Sequence, residues 1–88
     1  MAVKRVETRS GFVCEIDEAV VNDMEVLDLI VEIENGNVMK YPPLLQKLLG
    51  DDLKRRLYDH VRFDGRVPYQ AIDAEVSDIF SGLGGGKN

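Results

Sequence analysis

A short stretch near the N-terminus constrains this chain more than any other feature. From Val6 to Ile16 the residues alternate, placing Val6, Thr8, Phe12, Cys14 and Ile16 on one face and Glu7, Val13 and Glu15 on the other. For Val6 and Thr8 to share a face with Cys14 and Phe12, Thr8 must stand opposite Phe12 across a turn. That register needs a three-residue loop, Arg9-Ser10-Gly11, with Gly11 in its left-handed position. A two-residue Ser10-Gly11 loop would pair odd positions with even ones and split the apolar face. An isolated hairpin is marginal in water, so its apolar face has to be covered. Everything after Ile16 reads as helix available to cover it.

Asp17 and Glu18 open a short connection through Ala19-Val20-Val21. Asn22 then caps a helix, with Glu25 in the capping-box position three residues on. Met24, Leu27, Ile30 and Val31 follow helical spacing, and Val26, Leu29 and Ile33 widen the apolar surface beyond one stripe. Such a helix is expected at the centre of the fold, buried on two sides and ended by Asn35-Gly36. After a linker from Asn37 to Tyr41, Pro42-Pro43 introduces a leucine-rich helix with Leu44, Leu45, Leu48 and Leu49, closed by Gly50. Asp51 or Asp52 begins the next helix, with Leu53, Leu57 and Val61 inward. Phe63-Asp64-Gly65-Arg66 is a turn, and Val67-Pro68 starts a last helix carrying Ile72, Val76, Ile79 and Phe80. The expected fold is α+β: an N-terminal β-hairpin followed by about four helices in a single small domain, residues 1–81, with 82–88 as a flexible glycine-rich tail.

Composition narrows the function classes. The 16 acidic and 11 basic residues give a net charge of −5, which argues against binding a phosphate backbone. Lys54-Arg55-Arg56 follows Asp51-Asp52 and precedes Asp59, the pattern of a solvated helix face with local charge pairing. No apolar run nears the ~20 residues that cross a membrane, and no signal-peptide core opens the chain. One cysteine among 88 residues excludes an internal disulfide framework and gives no sign of an oxidising compartment.

Chemistry is sparse. Cys14 sits mid-strand between Phe12 and Ile16 as a small hydrophobe, and His60 lies in a charged helix as an exposed or interface imidazole. One His and one Cys cannot form a structural zinc site, so no metal is expected. The carboxylates at 17–18, 51–52 and Asp73, Glu75 and Asp78 fit helix starts or solvated faces, and no pair is singled out for acid–base work. The segment Gly82–Lys87 fails as a phosphate loop: Ser81 replaces its first glycine, Asn88 replaces the magnesium-holding hydroxyl, and no helix follows. No catalytic residue and no cofactor are expected. Val76, Ile79, Phe80 and Leu83 read first as core. The alternative leaves part of that stripe exposed as a docking face for another helix, with Tyr41, beside Pro42 and Pro43, as a second contact.

The order of these signals resembles a known family. Thr8-Arg9-Ser10-Gly11-Phe12 leads to Ile16-Asp17-Glu18, Asn22-Asp23-Met24-Glu25 and Leu27. Leu48-Leu49-Gly50-Asp51-Asp52, His60-Val61-Arg62, Asp64-Gly65-Arg66-Val67-Pro68, Ile79-Phe80 and Gly86-Lys87-Asn88 follow. Together they resemble the small tail assembly chaperones of long-tailed bacteriophages and prophages, in particular those of Gram-positive hosts. The resemblance spans nearly the whole chain and rests on order and spacing, since each motif alone is a turn or cap signal. Met24 departs from the pattern, which calls for an aromatic there. The resemblance implies a non-enzymatic protein that coats the tape measure protein, helps recruit major tail protein, self-associates, works in the host bacterial cytoplasm and is absent from the mature virion. It also implies a longer product made by a −1 frameshift, for which an A-rich run encoding Gly86-Lys87-Asn88 would serve. The competing expectation, from another class, is a small adaptor or regulatory protein binding one partner stoichiometrically.

Overall fold

The hairpin forms in the register its alternation requires. In the computed structural model, which describes residues 2–84, strands β1 (Val3–Glu7) and β2 (Val13–Asp17) pair antiparallel with Val6 opposite Cys14. The pairing runs on to the turn: Thr8 N–H donates to the Phe12 carbonyl at 2.9 Å, and Gly11 N–H to the Thr8 carbonyl at 2.9 Å. Gly11 closes the three-residue loop at φ +92°, a conformation a side chain would strain. Val6, Thr8, Phe12, Cys14 and Ile16 are all buried. Each large apolar member of that face contributes roughly 1.5–3 kcal/mol by leaving water.

Helices α2 (Tyr41–Val61) and α3 (Tyr69–Gly82) supply the cover, α3 against β1 and α2 against β2. The molecule therefore has three helices, with α1 at Met24–Glu34, rather than about four. The two segments expected on either side of Gly50 run as one element with a kink, where Gly50 takes φ 80°, ψ 175°. That backbone is open almost only to glycine and lies outside helical space, so the helical path is interrupted at Gly50 before it resumes. Pro42 and Pro43 occupy the first turn of α2, where their missing N–H groups lose no helical bond. The Asp64-Gly65 turn closes with reciprocal Phe63–Arg66 backbone bonds of 2.7 and 3.0 Å, both central residues at positive φ.

Three expectations are corrected. The cap of α1 is Asp23, whose carboxylate accepts from Glu25 N–H at 2.9 Å; Asn22 ends a preceding 3-10 turn, Glu18–Asn22. An anion at the positive helix end is the better cap, and Lys47 of α2 holds it in place, 2.9 Å from Glu25 and 3.8 Å from Asp23. Second, α1 is not central. It packs on α2 and on the 3-10 turn Val38–Lys40, and only Val26 among its residues is fully buried. Third, the domain runs past residue 81: Gly82 closes α3 and Leu83 is buried. Residues 85–88 of the expected tail lie outside the described residues. One apolar cluster, from Val6 to Leu83, holds the molecule together. Its radius of gyration of 12.2 Å matches the roughly 12 Å expected of a compact chain this long.

Candidate functional site

The five residues singled out as partner contacts all face inward. Ile79 is fully buried, Tyr41 is 7% exposed, and Val76, Phe80 and Leu83 are each 9% exposed. The α3 stripe belongs to the core. Tyr41 is fixed rather than free: its hydroxyl donates to Asp73, and burial together with that bond pushes its ionisation above the usual tyrosine range. Yet Tyr41, Val76 and Phe80 meet at one place. With Ile30, Ile33 and Leu44 they line a cleft of about 210 Å³ between α1 and α3, and Glu34, Asp73 and Ser77 complete its lining. Small-molecule sites usually take roughly 300–1,000 Å³, so this cleft suits one or two inserted side chains.

The exposed edge of α1 adjoins the cleft. Helical spacing puts Met24, Leu27 and Val31 on one side of α1, and they are 66%, 38% and 54% exposed. Asp28 and Glu32 border that stripe on one side and Glu34 on the other, so Glu34 separates stripe from cleft. Val38 and Met39, on the 3-10 turn packed against α1, are exposed as well. Half of the chain's 16 acidic residues fall between Glu15 and Glu34, where no lysine or arginine occurs. Asp28, Glu32, Glu34 and Asp73 have no ion-pair partner among the described residues. The sequence signal was the unusual apolar width of α1. That width does not mean two-sided burial, because among the described residues no element covers the outer face of α1.

A polar cluster without a sequence signature ties the hairpin loop to α2 and α3. Ser10 Oγ lies 2.9 Å from His60 Nε2 and 2.5 Å from Glu75 Oε2. A hydroxyl has one proton, and the Glu75 carboxylate accepts it, so His60 must donate its Nε2–H to Ser10. Glu75 is thus not on a solvated face: it is 4% exposed, with Oε1 unpartnered among the described residues. Asp78 is likewise engaged, accepting from Arg9 N–H at 2.9 Å and from the Arg9 guanidinium at 2.9 Å. Those bonds from Arg9 hold Asp78 below the usual carboxylate range.

The arrangement superficially suggests a nucleophile, a base and an acid. In a catalytic triad, however, the imidazole stands between hydroxyl and carboxylate; here the hydroxyl stands between the other two. Of the neighbouring N–H groups that could stabilise an oxyanion, those of Arg9, Gly11 and Phe12 are committed, to Asp78, the Thr8 carbonyl and Thr8 Oγ1. The cluster works as a latch. The His60 ring, tilted against Phe12 at 5.4 Å, completes it.

Cys14, on the buried face of the hairpin, has its thiol pushed up by burial. Among the described residues no group of three potential ligands is placed to hold a metal ion, and no helix is long and apolar enough to cross a membrane. No protein-family model, curated protein or solved structure matches the chain.

Proposed function

We propose that this protein is a tail assembly chaperone of a long-tailed phage or prophage. It coats the tape measure protein during assembly in the host cytoplasm, keeps that long apolar helix dispersed, and departs before the virion is complete. Recruitment of major tail protein belongs to a longer frameshift product carrying this domain at its N-terminus. The observation that carries the reading is the α1–α3 cleft with the open Met24–Leu27–Val31 edge beside it. A helix laid across this face could place one apolar side chain in the cleft and others along the edge. The face is small, so a single contact is weak. Many copies on one client gain strength from their high effective concentration. The surrounding carboxylates and the net charge of −5 keep the coated complex soluble. An adaptor would bind its one partner at fixed stoichiometry, whatever that partner's length.

Co-expression with a segment of the phage's tape measure protein tests the proposal. The wild-type chain keeps the segment in the soluble fraction and co-purifies with it, whereas Leu27→Asp/Val31→Asp folds normally and does neither. A segment that precipitates equally with and without the wild-type chain would overturn it.

A further inference from the structure

The acidic lip of the α1 face constrains what can dock there. We infer that this face selects a basic amphipathic helix, one whose apolar stripe is flanked by lysine or arginine. The inference rests on the reading of the chain as a chaperone for a helical client, and it names that client's chemistry.

The argument follows from the placement of charge. Any helix lying along Met24, Leu27 and Val31 with a side chain in the cleft comes within reach of Asp28 and Glu32 on one border and Glu34 and Asp73 on the other. Asp73 is already oriented by the Tyr41 hydroxyl, which leaves its remaining acceptor sites for a donor from outside. Lys47 of α2 is spent on Glu25 and Asp23, and Lys40, on the 3-10 turn packed against α1, makes no ion pair with these carboxylates among the described residues, so the lip is not neutralised from within. A neutral partner would desolvate these carboxylates without compensation, an acidic one would be repelled, and a basic one pairs with them. Two copies of the chain apposed through α1 would bring these same carboxylates against each other, which disfavours self-pairing through this face.

Three synthetic helical peptides with the same leucine stripe and lysine, glutamine or glutamate flanks provide the probe. Each is labelled and titrated with the full chain by fluorescence anisotropy at low and high salt. The lysine peptide should bind about tenfold tighter than the glutamine peptide at low salt, with the glutamate peptide weakest. The preference should shrink at 0.5 M salt, on the order of a 4–5 Å screening length. Glu32→Lys should reduce the preference at least threefold, roughly the worth of one exposed pair. Glu7→Lys, the same charge change on the hairpin, should leave it intact. Equal affinities for all three peptides would overturn the charge selection while leaving helix docking in place. Binding of none would overturn the docking reading as well. Self-association of the chain that Leu27→Asp/Val31→Asp abolishes would assign the face to a second copy and also overturn the inference.

Discussion

Replacing Gly82 with alanine should destabilise the protein, although alanine is the better helix former. Gly82 is the last residue of α3 and lies directly against β1: an added Cβ would sit 2.8 Å from Val6 Cγ1, 3.4 Å from Cγ2 and 3.6 Å from Cβ. Ordinary contact begins near 3.4 Å, so one partner must retreat by more than half an ångström. Val6 cannot do so easily. It is β-branched, 3% exposed and held in register opposite Cys14. Overpacking of this kind costs about 1–3 kcal/mol, while the propensity gain is at most ~1 kcal/mol and smaller at a helix end. The expected net loss is about 1–2 kcal/mol, a fall in Tm of roughly 5–10 °C. Urea unfolding followed by circular dichroism measures it, with Val6→Ala as the second arm of a double-mutant cycle. Val6→Ala alone should cost about 1.5–3 kcal/mol. In that background Gly82→Ala should turn neutral or stabilising, a favourable coupling of at least ~1 kcal/mol. A Gly82→Ala protein as stable as wild type, with no coupling to Val6, would refute the packing of α3 against β1.

Three further outcomes are expected. Gly50→Ala, where the added Cβ meets open space but φ is +80°, should cost about 1–3 kcal/mol from backbone strain alone in the same urea assay. Asp78, whose folded pKa is depressed by Arg9, stabilises the fold above the ordinary aspartate pKa of ~3.9, and that contribution disappears as pH falls through the folded value. Asp78→Asn should accordingly flatten the stability–pH slope below about pH 4, and an unchanged slope would count against the Arg9–Asp78 pair. Cys14, buried with its thiol pushed up, should react with a thiol reagent only after denaturant is added.

Legibility followed the range of the interactions. The hairpin register was readable because Val6, Thr8, Phe12, Cys14 and Ile16 alternate around a loop whose glycine sits where the turn needs it. The Asp64-Gly65 turn was readable for the same local reason. The cap of α1 was missed by one residue because Asn22 and Asp23 are both good caps. The choice depends on Lys47, 22 positions beyond Glu25. Gly50 is legible as the close of the leucine-rich segment, because its backbone leaves helical space there; that the next segment continues the same element across a kink is not. The Ser10–His60 and Ser10–Glu75 bonds join residues 50 and 65 positions apart, with no periodicity to announce them. In the candidate site, Tyr41, Val76 and Phe80 were singled out for apolar character, but the cleft they line depends on where α1 lies. That position is set by how much surface α2 and α3 have left after covering the hairpin.

The central claim is that the chain coats a long helical client in many copies, and stoichiometry tests it most directly. Complexes with tape measure segments of increasing length, purified after co-expression, would be weighed by light scattering. The account predicts a number of bound copies that rises in proportion to segment length. A fixed one or two copies at every length would contradict it and establish a stoichiometric adaptor instead.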